Sequence, residues 1–461
     1  VDDFNVLSGS MGDFLHIPGA NLLNRTAAFY NWQQARRQAG FWPYGRSTEN
    51  GPHSRCLART DDGSLFEGVN FASQDYLSLS SHPEVLNVAI ETIQRFGVHS
   101  AGAPAFVGNT SLSLALENKI AEFLSAEHII LYPTGWAAGF GVIQGLVRSN
   151  DHIVMDKLSH FCLQQGARAA TKNVHFFRHN NLEMAREKLE KIRASDTENG
   201  ILVVTESLFS MDSDSPDLKA LQELAHEFNA TLVVDVAHDL GSLGENGRGH
   251  IELQNMIGKI DVIMGSFSKT FASSGGFVAS NQRSVKEYLR YFSSPNIGSN
   301  ALSPSQAAIV GKCFDIAASD EGAALRRKLM NNAMLLRQLL HDSQFDTYGE
   351  PSPIVSVKIA TESLARLVSR HLPPIGLLSN LVEFPAVAKG AARFRFQVMA
   401  NHTNRDITDG ADFFKTAMAI ARTEDETLQS GAIELAELTK WPRQMLGTQI
   451  SPAAEIKVPL T

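Results

Sequence analysis

Lys269 lies in GSFSKTFASSGGF, a short polar, glycine-rich segment that follows the apolar run DVIM. An amine just past a buried strand is either a solvated loop cation or a Schiff-base lysine, which sheds its proton and attacks a carbonyl. Its neighbours favour the second role. Ser266 and Ser268 offer hydroxyls to a phosphate, and Gly275 and Gly276 permit close backbone approach. Asp235 closes the run LVVD, where a lone carboxylate is costly to bury. It is a helix cap, a salt-bridge partner, or an acid that keeps a pyridine nitrogen protonated. His238, three residues on, presents a ring nitrogen beside it. His160, in DKLSHFCLQQG, follows another strand end and is either structural or stacked on a flat ring. Thr134, Gly135 and Trp136 open a helix after HIILY, and the free N–H groups of a helix start suit a phosphate. Pyridoxal phosphate (PLP) needs such an acid on its ring nitrogen and a donor near its phenolic oxygen.

These residues must be held by regular elements. HIILY, HIVMD, VHFFRH, ILVVTES, LVVDVAHD and DVIMGSFSK read as strands, the last three apolar almost throughout and ending in polar residues. Helical spacing marks LSLALENKIAEFLS, TGWAAGFGVIQGLV, CLQQGARAAT, MAREKLEKIRA and DLKALQELAHEF. Strands apolar on both faces, alternating with helices, predict a parallel sheet covered on both sides. Functional groups in such sheets collect beyond the carboxyl ends of the strands, where Glu206, Asp235, His238 and Lys269 fall. Residues 1–70 read as an irregular arm with one helix near 27–39 and several aromatics, including Trp32, Trp42 and Tyr44. Aromatics of this kind pack within the chain or wrap a partner subunit. After SSPNIGSNALSP a long helical region covers about 305–342. PIVSVKI, LVEFPAV and RFRFQVM then read as strands, and ESLARLVSRHL and ITDGADFFKTAMAIARTE as helices. The stretch after about residue 431 has weak periodicity.

Composition excludes several classes. The 461 residues are 43% hydrophobic and 20% charged, ordinary for a globular chain with a large core. The formal net charge is −8, with no dense basic run, which disfavours nucleic acid and anionic membrane. No apolar stretch reaches the ~20 residues of a membrane span. The start, VDDFNVLSGSMGDF, lacks a positive n-region and an apolar h-region, so no secretory signal is expected; the leading Val suggests a cut or processed end. Three widely spaced cysteines, Cys56, Cys162 and Cys313, predict reduced cytoplasmic thiols and no metal cluster.

YPTGWAAGFG, DKLSHFCLQQGAR, ESLFSMDSDSPDL, VDVAHDLGSLGENGRG and GSFSKTFASSGG follow one another in the order of a known family. From about residue 70 to about 421 the chain resembles the α-oxoamine synthases, fold-type I PLP enzymes. The resemblance implies an α/β fold with a mostly parallel central sheet flanked by helices and a smaller C-terminal α+β domain. The expected divisions are an arm (1–70), a large PLP-binding domain (71–335), a small domain (336–430) and an unplaced tail (431–461). By the same resemblance Lys269 is the Schiff-base lysine. Asp235 sits on the pyridinium nitrogen, His238 near the phenolic oxygen, and His160 stacks on the ring. Thr134, Gly135, Trp136, Ser266 and Ser268 serve the phosphate, with Ser299 offered to it from the other subunit of a homodimer. Glu206 and Ser210 lie near the cofactor. Arg395 binds the amino-acid carboxylate, with Arg393 a neighbour easily confused with it. The implied reaction is a decarboxylating condensation of an α-amino acid with an acyl thioester, on CoA or an acyl carrier protein. It yields an α-aminoketone, CO2 and free thiol.

The substrate-facing residues depart from the family pattern. SNDYLGL appears as SQDYLSL, which puts Gln74 at a substrate-contacting asparagine. Ser113 replaces a histidine before the LE of its helix, and ESLFSMDSDSPDL lacks the usual Gly and Ala-Pro-Leu. The reaction class is therefore expected, and no named substrate is. Two other readings stay open: another reaction on the same scaffold, such as transamination or aldol cleavage, and a non-catalytic scaffold subunit. The second would be expected to lose Lys269.

Overall fold

The computed structural model describes residues 6–432 and Leu435, so nearly all of the expected tail lies outside the described residues. The central sheet has seven strands: β1 (His128–Tyr132), β2 (His152–Asp156), β3 (Val174–Phe177), β4 (Ile201–Glu206), β5 (Thr231–Asp235), β6 (Val262–Ser266) and β7 (Gly276–Ser280). Their order across the sheet is β1-β7-β6-β5-β4-β2-β3. Strands β3, β2, β4, β5 and β6 run parallel, and β7 is antiparallel to both its neighbours. Side chains alternate between the faces: Leu232 and Val234 of β5 join one core and Val233 the other. Both faces are thus dry, which is why these strands lack a polar stripe.

The expected mostly parallel sheet is present, and β7 adds to it. Its sequence, GFVAS, sits directly behind the glycine-rich segment of Lys269 and is hidden by it. Gly275 turns the chain into β7 with φ +119°, a conformation that favours glycine. The helical region near 305–342 is two helices, Pro304–Ala317 and Asp320–Asp342. The break is written in Ser319, which caps the second by accepting the N–H of Gly322.

Residues 47–70 correct the irregular arm. Arg55–Arg59 and Leu65–Asn70 form an antiparallel hairpin, and Leu377–Leu378 adds to it in parallel. On one face it buries just Cys56, Ala58 and Phe66 with Gly68, packed on Leu378, while Val69 of the other face joins the main core. So small an apolar face, with a partner strand some three hundred residues away, leaves little periodic signal. Trp32, Trp42 and Tyr44 pack within the chain, whereas Tyr30 is exposed. Trp32 is buried, the guanidinium of Arg36 lies 4.8 Å from its ring centre, and Tyr44 donates to Glu383 Oε1 at 3.1 Å.

A second sheet, of β8 (Ile354–Lys358), β9 (Asn380–Val382) and β10 (Arg393–Gln397), has β10 at its centre. The strand expected in LVEFPAV stops at Val382, and Pro385 lies in a turn three residues on. No helix among the described residues is long and apolar enough to cross a membrane.

Candidate active site

Most of the sequence-predicted site residues line one cavity of about 320 Å³. It opens beyond the carboxyl ends of β2, β4, β5 and β6, as parallel strands require. Glu206 and Asp235 end adjacent strands in register, so their carboxyl groups leave the same face. Both are buried. Burial pushes both above the usual carboxylate range, and for Glu206 the Asp235 charge adds to the effect. The Ala237 N–H donates to Asp235 Oδ1 at 2.9 Å; its second oxygen has no partner among the described residues. Glu206 Oε1 accepts the His160 N–H at 2.5 Å, which fixes the turn from β2 into the helix Phe161–Ala170.

Lys269 lies within reach of both acids. Desolvation lowers its pKa, the Asp235 and Glu206 carboxylates oppose that, and Arg395 adds to it. Its Nζ makes no hydrogen bond among the described residues, so the amine is free to react. His160 and His238 are both held below the ordinary imidazole range, first by desolvation and then by the Lys269 and Arg395 cations. Both rings are therefore neutral near pH 7. Nδ1 of His160 accepts the Cys162 N–H at 3.3 Å and lies 2.9 Å from Cys162 Sγ.

The phosphate end is built from close packing. Thr134 caps the helix Gly135–Leu146 by accepting the Ala137 N–H at 3.0 Å. The Gly135 and Trp136 N–H groups then remain without partners among the described residues. A Cβ on Gly135 would sit 2.2 Å from Ser266 Oγ, and one on Gly276 would sit 2.7 Å from Gly135 Cα. Ser266 and Ser268 hydroxyls are 2.8 Å apart beside them. A glycine cradle of free N–H groups and hydroxyls takes a phosphate. With a buried acid, a free amine and two neutral imidazoles beyond it, the residues fit PLP.

Arg393 and Arg395 separate cleanly. Arg393 is tied to Asp212, donates to Met211 O at 2.9 Å, and stacks 3.9 Å from the Tyr348 ring centre. Arg395 has no acidic partner among the described residues. Its Nε is buried without a hydrogen bond, and its charge reaches Lys269, His160 and His238. Burial lowers its pKa, as expected of a cation that awaits an anion.

Residues 67–414 match the family model described as aminotransferase class I and II. The chain is 35% identical over 341 residues to 8-amino-7-oxononanoate synthase of Thermoanaerobacter pseudethanolicus, covering 74% of this chain and 85% of that one. It is 31% identical over 346 residues to 2-amino-3-ketobutyrate coenzyme A ligase of Salmonella typhimurium, covering 75% and 86%. The chain belongs to the aminotransferase class I and II family, as an α-oxoamine synthase. A serine palmitoyltransferase variant from S. paucimobilis with PLP–myriocin bound superposes with TM-score 0.82 at 26% identity, over 88% of this chain and 100% of that one.

Four sequence-predicted residues of this α-oxoamine synthase fall outside the cavity wall: Arg395, whose charge still reaches the groups in it, and Gln74, Ser210 and Ser299. Gln74 is half-buried, two residues before Tyr76. Ser210 lies on the segment after β4, whose Met211 Sδ touches Arg395 at 3.7 Å. Ser299 lies on the loop before Pro304, away from the cavity of its own chain. Sequence reasoning missed Cys162, Tyr76 and Gln397. Cys162 was signalled by its position two residues after His160, and Gln397 by its position two beyond Arg395 on a strand, which shares a face with it.

Proposed function

We propose that this α-oxoamine synthase carries out a decarboxylating condensation of an α-amino acid with an acyl thioester, on CoA or an acyl carrier protein, with PLP as its cofactor. The products are an α-aminoketone, CO2 and the free thiol. Arg395 carries the reading: a half-buried arginine whose Nε is buried and unbonded, with no acid partner among the described residues, beside a cavity that holds a free amine and a buried acid. When bound, the cofactor supplies an electron sink for the pair released at the amino-acid Cα.

The chain's own groups supply the rest. Gly135 and Trp136 N–H groups with the Ser266 and Ser268 hydroxyls hold the phosphate. Asp235 keeps the proton on the ring nitrogen, and His160 covers the ring. Arg395 binds the substrate carboxylate in a bidentate grip and so orients the Cα–H bond toward Lys269. Lys269, whose pKa is lowered by desolvation, takes the Cα proton as its general base. Neutral His160 donates to the acyl oxygen while the thiolate leaves. The reading includes a homodimer in which Ser299 of the partner subunit reaches the phosphate. The residue roles and the domain divisions given above belong to this proposal.

The test is stoichiometric. The PLP-loaded chain is mixed with each of the twenty amino acids and with acyl-CoA or acyl-carrier thioesters, and thiol and CO2 are measured. One thiol and one CO2 per turnover, released only when both substrates are present, support the reading. A keto acid formed without CO2 would replace it with transamination. Lys269→Ala is expected to lower turnover by roughly 10²–10⁴-fold; a wild-type rate would refute the assigned base.

A further inference from the structure

Tyr76 is wholly buried, and its hydroxyl lies 3.0 Å from His238 Nδ1 and 3.1 Å from the side-chain oxygen of Gln397. Three distant parts of the chain meet there. Tyr76 follows the strand Leu65–Asn70, His238 follows β5, and Gln397 ends β10. Backbone bonds hold them in place: Gln397 N–H donates to Phe71 O, and Ala400 N–H to Tyr76 O, each at 2.8 Å. Gln397 shares a face of β10 with Arg395.

A phenol carries one proton, and so does a neutral imidazole, so the contacts run in one of two directions. In the first, Tyr76 donates to Gln397, and His238 keeps its proton on Nδ1. In the second, the Gln397 amide donates to Tyr76, Tyr76 donates to Nδ1, and the His238 proton sits on Nε2, at the ring edge that lines the cavity. The oxygen and nitrogen of an amide are distinguished by their network alone. With its oxygen toward Tyr76, Gln397 leaves its Nε2 buried without a partner. Turning the amide over exchanges an orphaned N–H donor for an orphaned carbonyl, which proteins tolerate better.

We propose that Gln397 and Tyr76 form a donor relay, amide to phenol to imidazole Nδ1, that holds His238 as the Nε2–H tautomer aimed into the cavity. Both are positioning residues that act through His238. The charged or titratable groups that act on that ring are Lys269 after β6, Arg395 on β10 and His160 after β2, with the phenol of Tyr76 at Nδ1; Asp235 and Asp239 flank His238 in sequence, and Asp239, which acts on Tyr76, is bonded to Ser207 and His250. The cations among them favour the neutral ring that the relay requires. The tautomer itself does not depend on the proposed reaction. Its consequence does rest on that reading: an Nε2–H donor stabilises the anionic form of the cofactor's phenolic oxygen.

The full-length chain, labelled with ¹⁵N-histidine and loaded or not with PLP, reports the tautomer in long-range ¹H–¹⁵N spectra. His238 is located by the signals lost in His238→Gln. The wild type is expected to show a protonated Nε2 and a bare Nδ1. Gln397→Glu, ionised beside Arg395, offers Tyr76 only acceptors and should move the proton to Nδ1. In the loaded variant the pH midpoint of the visible band should then rise by about one, because the oxygen anion loses its donor. Should that variant fold poorly, Tyr76→Phe removes the link, and a second His238 tautomer should appear. An Nδ1–H wild type, an unchanged tautomer in Gln397→Glu, or a single unchanged tautomer in Tyr76→Phe would overturn the relay. Failure of PLP to bind would count against the proposed function alone, since the unloaded spectra still decide the tautomer.

Discussion

At the scale of the residue, neighbouring arginines of one strand divide two jobs. Arg393 is neutralised by Asp212 and fastens the segment after β4 to β10, whereas Arg395 keeps an unspent charge beside the cavity. Loss of a largely buried ion pair leaves its partner uncompensated, so Arg393→Ala is expected to lower unfolding stability by about 3 kcal/mol in urea titrations. Arg395→Lys should leave that midpoint nearly unchanged. A lysine lacks the planar fork, so KM for the amino acid should rise roughly tenfold to a hundredfold. The reverse pattern would exchange the two roles. Alternation along a strand places both arginines on one face, so sequence alone left them confusable; only the position of Asp212 separates them.

At the scale of the element, the helix Gly135–Leu146 and the turn before β7 form one packed unit. Gly135→Ala would push a methyl against Ser266 Oγ and displace the hydroxyl proposed to hold the phosphate. PLP affinity, read by fluorescence titration, is expected to fall about tenfold or more, while the far-UV spectrum stays the same. A second unit positions the segment after β4. His179 bridges Asp156 at 3.1 Å and Asp214 at 2.9 Å, and these carboxylates raise its pKa to about 10 despite burial. A raised histidine contributes stability that is fully present below its ordinary pKa near 6.5 and is lost as pH rises through about 10. His179→Gln should therefore destabilise the chain at pH 6 and make little difference above pH 10, as thermal melts at the two pH values would show. The motif ESLFSMDSDSPDL was legible as a site segment; that a histidine from the end of β3 clamps it was not, because the contact joins residues 35 apart.

At the scale of the whole molecule, the sheet brings two acids into one dry cavity, and that has a cost. Burial raises Asp235 to about 6 from its ordinary value near 3.8. Between those values the folded chain without cofactor binds more protons than the unfolded chain, so its stability should fall as pH rises through that window. Asp235→Asn should flatten the slope, measured as the urea midpoint between pH 4 and 7. A slope that persists undiminished in the variant would show that Glu206, not Asp235, holds the proton. A protonated ring nitrogen placed against Asp235 offsets the same cost, so loading with PLP should stabilise the wild type more than the variant.

The amino-acid sequence by itself determined the parallel sheet, the order of its helices and the strand-end cluster of Glu206, Asp235, His238 and Lys269. Dry strands need continuous apolar runs, and polar residues beyond them must gather at one edge. Tertiary structure alone decided the rest. The hairpin Arg55–Arg59 with Leu65–Asn70, strand β7, the pairing of Arg393 with Asp212 and the contact of Tyr76 with His238 and Gln397 all depend on partners far along the chain. Local periodicity records which face a residue turns to the core, but carries no record of which distant residue it meets there.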